Sequence, residues 1–144
     1  MLRIALPALM LLIATSLQAE DRKYIVASPQ SNLPFSNGVM VGDTLYIAGH
    51  LGLEPQSGKP PADAEEEAKL VMDAVKKTVE DAGMTMADIV MIQVHCPDLS
   101  LYSTFNKVYR TYFQETFPAR AFLGSGKLLR DARFEVLGVA VRRK

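Results

Sequence analysis

Cysteine is nearly absent: Cys96 is the only one in 144 residues. That excludes an internal disulfide framework and any zinc site built on several thiolates. Histidine is scarce as well, with only His50 and His95, which leaves little for metal catalysis. Neither sign of charge is in excess, since 16 Lys+Arg stand against 16 Asp+Glu. A nucleic acid bound mainly through its phosphates requires a clustered basic face, so this balance argues against such a partner. No apolar run reaches the roughly 20 residues that a bilayer-spanning helix needs. What remains is an ordinary globular composition, 49% apolar and 22% charged, of a size that suits one domain.

The first residues read as an export segment. Met1-Leu2-Arg3 supplies a positive start, Ile4 to Ala14 a short apolar stretch, and Thr15-Ser16-Leu17-Gln18-Ala19 a small-residue cleavage region. That is the pattern of a secretory signal peptide over 1–19, cut after Ala19. Pro7 suits a transient segment better than a packed helix. The alternative is an uncleaved N-terminal anchor. Cleavage leaves one domain over 20–144, in the periplasm or secreted, where a lone cysteine has no partner in its own chain.

Within that domain the pattern predicts β-β-β-α-β-α-β-β. Tyr24-Ile25-Val26-Ala27 reads as an edge strand ended by Ser28-Pro29. Gly38–Asp43 and Thr44–Gly49 form a hairpin that turns at Gly42-Asp43. Asp63 opens a helix with Glu66 as its capping-box partner, and Gly83 closes it. Ala64, Ala68, Val71, Ala74 or Val75, Val79 and Ala82 fall on one stripe of that helix, with Lys69, Lys76 and Lys77 opposite. Glu65, Glu66 and Glu67 are expected to be a solvated first turn favoured by the helix dipole, not a metal cluster. Ile89–Cys96 is a strand covered on both faces. Leu101, Phe105, Val108, Tyr109, Tyr112 and Phe113 mark a second helix. Ala119–Leu123 and Arg133–Arg142 are the last strands. The result is an α+β domain, one mixed sheet with both helices on one face. The other face is too apolar for water, because Leu137 and Val139 alternate with Glu135 there, so a homo-oligomer is expected to cover it.

Several familiar signals fail. Gly124-Ser125-Gly126-Lys127 lacks the upstream glycine and the following Ser or Thr of a phosphate loop, with Ala121 and Leu128 in those places. His95 and Cys96 look like a base and its nucleophile, but neighbours on a strand point to opposite faces. The better reading is a buried cysteine beside a histidine with its hydrogen bonds satisfied. Two charged residues remain in apolar extended settings: Arg120, between Phe117-Pro118 and Ala121-Phe122-Leu123, and Glu135, between Phe134 and Val136. Each needs a partner. They form either a structural pair tying the last two strands together, or a ligand site with Arg120 as a bidentate clamp and Glu135 positioning a water.

Tyr46-Ile47-Ala48-Gly49, Asp81-Ala82-Gly83, Asn106-x-x-Tyr109-x-x-Tyr112-Phe113, Pro118-Ala119-Arg120 and Phe134-Glu135-Val136 occur in an order that resembles the RidA/YjgF family, also called L-PSP endoribonucleases. The resemblance runs from about Tyr24 to Val141. It implies a chorismate-mutase-like α+β fold assembled as a homotrimer, with sites between subunits and no metal or organic cofactor. It further implies deaminase chemistry, in which reactive enamines and 2-imino acids are hydrolysed to 2-oxo acids and ammonia. Arg120 then grips the substrate carboxylate and Glu135 orients the attacking water. Gly49, Phe35, Phe122 and Asn106 line the pocket. The expected partner is a small carboxylate-bearing imine, with no nucleic acid and no membrane after signal cleavage. The chain departs from the deaminase pattern at Ala121, where Ser or Thr is usual, at Ala48-Gly49-His50 in place of Ser-Gly-Gln, at Phe35 in place of a tyrosine, and at the bulky Phe122. These changes make the pocket more apolar. They leave open an exported trimer that binds small carboxylates or protects proteins without turnover. The nuclease in the family's older name finds no support in the charge balance.

Overall fold

The computed structural model describes residues 21–27, 32–114 and 116–143. The proposed export segment and Ser28-Pro29 lie outside them. Eight elements follow the predicted order: β1 (Arg22–Ile25), β2 (Gly38–Val41), β3 (Thr44–Leu51), α1 (Ala64–Asp81), β4 (Ile89–Cys96), α2 (Tyr102–Tyr109), β5 (Ala119–Gly124) and β6 (Glu135–Val141). They form a six-stranded sheet in the order β1-β2-β3-β6-β4-β5. Only β4 and β5 run parallel, joined by the crossover through α2, so the sheet is mixed.

Local chemistry explains the boundaries. Gly42 holds φ +56° at the β2–β3 turn, a conformation that side chains resist. Asp63 Oδ1 accepts the Glu66 N–H at 2.8 Å and caps α1. Gly83, at φ +74°, turns the chain out of the helix. Arg142 then donates to the Gly83 carbonyl at 2.8 Å and ties the end of α1 to the last strand. Lys69, Lys76 and Lys77 stay outside and pair with Asp73, Glu80 and Asp81 one turn on.

The core lies between the sheet and the two helices. Leu45, Ile47, Ile92, Val94, Val136 and Ala140 point from the sheet into Val71, Met72, Val75 and Val79 of α1 and Phe105 of α2, all nearly or fully buried. Each of these side chains other than Ala140 contributes about 1.5–3 kcal/mol by leaving water. Phe105 touches Phe122 and Phe134 at ring-centroid separations of 5.6 and 5.0 Å. The opposite face has no cover among the described residues. It carries Tyr46 at 55% exposure, Leu123 at 41% and Val141 at 38%, with Leu137 and Val139 half-buried.

The expectation for the triple-Glu run fails at its third member. Glu67 is fully buried. Its carboxylate accepts the backbone N–H of Arg133 at 2.6 Å and of Phe134 at 3.1 Å, and it pairs with the Arg133 guanidinium at 3.0 Å. Burial pushes its pKa up, opposed by those N–H groups and by the Arg133 charge. The same contacts explain why the last strand begins at Glu135 and not at Arg133. The two amides that would have extended the ladder are spent on α1.

Candidate active site

Arg120 sits on β5, the edge strand, and pairs in register with Ile92 of β4. Ile92 is fully buried against the helices, so Arg120 emerges on the helix side of the sheet. There its guanidinium lies 4.5 Å from the ring centroid of Tyr109 and 5.7 Å from that of Tyr102, both residues of α2. Its Nη2 donates weakly to the Tyr102 hydroxyl at 3.5 Å. Asn106 lies one helical turn from Tyr102. Together Arg120, Asn106, Tyr102, Tyr109, Arg110, Phe117 and Pro118 line a cavity of about 170 Å³. A hydrogen bond from Asn106, assisted by the Arg120 charge, holds the Tyr102 hydroxyl below its usual pKa. Burial pushes Tyr109 the other way, up to about 12. The cavity is small, aromatic-walled and positive. No carboxylate of a described residue pairs with Arg120, so its fork remains available for a planar anion.

A larger open groove of about 770 Å³ adjoins it and shares Phe117 and Pro118. Several of its polar groups serve one another or the fold. Lys76 pairs with Glu80, Arg143 with Asp88, and the Tyr112 hydroxyl donates to Asp73 at 2.7 Å. None of the predicted site residues lines it.

Glu135 opens β6 between β3 and β4, opposite Leu51 on one side and His95 on the other. It lies three residues from Gly138, which pairs with the core-facing Ile92, so its side chain emerges on the open face. Here β3 is irregular. Ile47 pairs with Gly138 and His50 with Val136, which gives β3 one residue more than β6 between these pairs. The bulge brings the Gly49 backbone against the Glu135 side chain. A Cβ on Gly49 would overlap Oε1 and lie 3.1 Å from Cδ. The same bulge turns His50 inward, where its Nε2 meets the Thr78 hydroxyl at 3.0 Å and burial lowers its pKa. Asn37 accepts the Ala48 N–H at 2.9 Å and so anchors the segment that carries Phe35, 56% exposed, beside this end of β3.

The predicted residues therefore fall into two groups. Arg120 and Asn106 share the cavity on the helix side, with Phe122 packed at its inner edge against Tyr102 at 5.1 Å. Glu135 and Gly49 are in contact on the open face, and Phe35 lies two residues from Asn37, whose carbonyl accepts from Ala48 beside Gly49. The structural Arg120–Glu135 pair allowed by the bare sequence does not form, because β4 separates the two strands and the side chains leave the sheet on opposite faces. The expected hydrogen-bonded His95 is not found either. Cys96 is buried and donates to the Asp98 carbonyl at 3.0 Å, while the His95 ring has no hydrogen-bond partner among the described residues and lies beside Glu135. Sequence reasoning also missed the walls of the arginine cavity. Tyr109 was legible on the helical stripe, but only as core, and Tyr102 was not singled out at all.

Known proteins resemble this chain in sequence and in fold. The sequence profile of the Endoribonuclease L-PSP family matches residues 25–142. The chain is 35% identical over 119 residues to a 2-iminobutanoate/2-iminopropanoate deaminase of Escherichia coli K12, covering 81% of this chain and 93% of that protein. It is 36% identical over 116 residues to a protein of the same name from Bos taurus, covering 80% and 85%. The crystal structure of the E. coli YjgF gene product superposes with a TM-score of 0.77 at 35% identity, over 84% of this chain and 99% of that one. That of E. coli TdcF with bound serine gives 0.76 at 32% identity, over 84% and 100%.

Proposed function

The chain belongs to the Endoribonuclease L-PSP family, known also as RidA/YjgF, and from that membership we propose that it hydrolyses reactive 2-imino and enamine acids to 2-oxo acids and ammonia at sites completed between copies of itself. The observation that carries the reading is the division of the chemistry between two faces. An arginine with no carboxylate partner waits in a small aromatic cavity on one side of the sheet, and a carboxylate with no cationic partner stands on the other. Neither half suffices alone. The apolar face around Glu135 supplies the reason for association, and a cyclic trimer brings the Arg120 cavity of one copy to the Glu135 face of the next. The serine seen in the TdcF crystal structure is a small carboxylate of the size this cavity admits.

The geometry suits the reaction. The carbon of a 2-imino acid is already electrophilic, so water addition needs orientation more than activation. The Arg120 fork takes both carboxylate oxygens and fixes the imine plane, while Tyr109 and Tyr102 hold the guanidinium in one direction. The Glu135 carboxylate, set against the Gly49 backbone, accepts a proton from water and aims the oxygen at the imine carbon. Phe35 and Phe122 in place of smaller or hydroxylated residues favour apolar side chains on the substrate.

The test is turnover. An amino-acid oxidase generates the imino acid in situ, and semicarbazide reports its lifetime. The protein shortens that lifetime, whereas Arg120→Ala and Glu135→Ala do not. Equal mixtures of the two variants, unfolded and refolded together, regain about a quarter of the unaltered activity if each site draws one residue from each of two neighbours in a ring. A mixture that stays inactive overturns the shared site. Carboxylate binding without any turnover would point instead to a binding trimer.

A further inference from the structure

On the open face around the start of β6, Glu135 on β6 stands with two polar residues of β4, Gln93 and His95. Glu135 and His95 are direct partners in the β4–β6 register. Side chains so placed have Cβ atoms about 4.5–5.5 Å apart. The two are nonetheless not in contact as an ion pair, and neither side chain has a hydrogen-bond partner among the described residues. The groups facing His95 are few. On β5 it pairs with Leu123, next to which Ala121 pairs with Gln93, and on β6 Leu137 also pairs with Gln93. Glu135 is therefore the only titratable group facing it from the neighbouring strands. An imidazole and a carboxylate left unsatisfied side by side, on a face that self-association would dehydrate, have no structural use.

We infer that His95 is a second catalytic residue of the Glu135 site, working as its proton-transfer partner; this rests on the deaminase reading above. In the addition step the water oxygen bonds to the imine carbon as the C=N π pair moves to nitrogen. Glu135 takes a proton from the water, and the imidazolium of His95 gives one to the nitrogen. The product is a neutral carbinolamine. In the collapse step the C–N bond breaks with its pair to nitrogen, which takes the proton from Glu135, while His95 accepts the hydroxyl proton as C=O forms. Ammonia and the 2-oxo acid leave, and both side chains return to their starting states. Histidine fits this exchange because one imidazole can both give and take a proton.

The experiment is the pH profile of kcat/KM from pH 5 to 9 for the full chain, with spontaneous imine decay subtracted. The unaltered protein gives a bell, because the addition step needs Glu135 ionised and His95 protonated. His95→Gln removes the alkaline limb and lowers kcat/KM about 10²-fold at neutral pH. His95→Ala is partly rescued by added imidazole, which a purely structural residue would not show. Asn106→Ala, in the wall of the Arg120 cavity, lowers kcat/KM without moving the limb, so weakened anchoring is told apart from loss of the proton donor. Retention of both rate and alkaline limb in His95→Gln overturns the inference and leaves the deaminase reading standing. Absence of turnover in the unaltered protein overturns the deaminase reading and the inference with it.

Discussion

Replacing Gly49 by alanine isolates one contact in the site. Gly49 has no positive φ, so what alanine changes is space, not backbone freedom. The new methyl would overlap Glu135 Oε1 and crowd Cδ at 3.1 Å and Cγ at 3.3 Å. All three atoms belong to a flexible side chain that can swing away. The folding cost is then one off-rotamer glutamate, about 0.5–1.5 kcal/mol. It is offset by about 0.4–1 kcal/mol gained from a stiffer unfolded chain. The net change is close to zero, so the melting temperature should move by no more than a few degrees. Activity responds differently. Displacing the carboxylate by the roughly 1 Å needed to clear the methyl costs on the order of 10²-fold in rate, ~2.7 kcal/mol of transition-state stabilisation. The assay is imine turnover beside thermal denaturation, with Gly138→Ala as the contrast. At Gly138 the obstructing atom is the Met91 carbonyl oxygen, 2.5 Å from the new Cβ and part of the neighbouring strand, which cannot move cheaply. That variant should lose stability, while Gly49→Ala loses rate alone. Full activity in Gly49→Ala would refute the assignment of Glu135 to the reaction from this rotamer.

Glu67→Ala strands two backbone N–H groups and removes the carboxylate that pairs with the Arg133 guanidinium, and should cost about 3 kcal/mol of stability in chemical denaturation. Glu67→Gln keeps an acceptor for both amides and should cost far less. For His50 the folded pKa lies below the unfolded value because burial disfavours the cation, so the unfolded chain binds more protons in the window between them. Stability should therefore be complete above about pH 6.5 and fall as the pH drops toward the lowered value. His50→Gln should flatten that limb in thermal melts taken at successive pH values. On the open face, Val139→Glu places a charge where association would bury it, and sedimentation should report smaller assemblies with the monomer fold unchanged.

How much was legible in the sequence depends on the range of the interactions involved. Element order, the β2–β3 turn and both ends of α1 were readable because glycine conformation, capping and apolar periodicity act over a few residues. Asp63, Gly42 and Gly83 sit where those rules place them. The list of candidate site residues was also legible, since a charged residue inside an apolar strand is conspicuous wherever the strand ends up. What the sequence left open was every relation that depends on strand order and register. Arg120 and Glu135 could equally be a structural pair or parts of a site, and only the placement of β4 between β5 and β6, with one parallel pairing, puts them on opposite faces. Glu67 reads as one of three solvated carboxylates until the fold brings the Arg133 and Phe134 amides to it across more than 60 residues. The single extra residue in β3 turns His50 inward and lays Gly49 against Glu135, and no local pattern announces it. His95 looked like the neighbour of Cys96 and proved to be the neighbour of Glu135. Sequence fixes which side chains are available, because propensity and capping are local; tertiary structure fixes which of them meet, because register along a sheet is settled by the whole core at once.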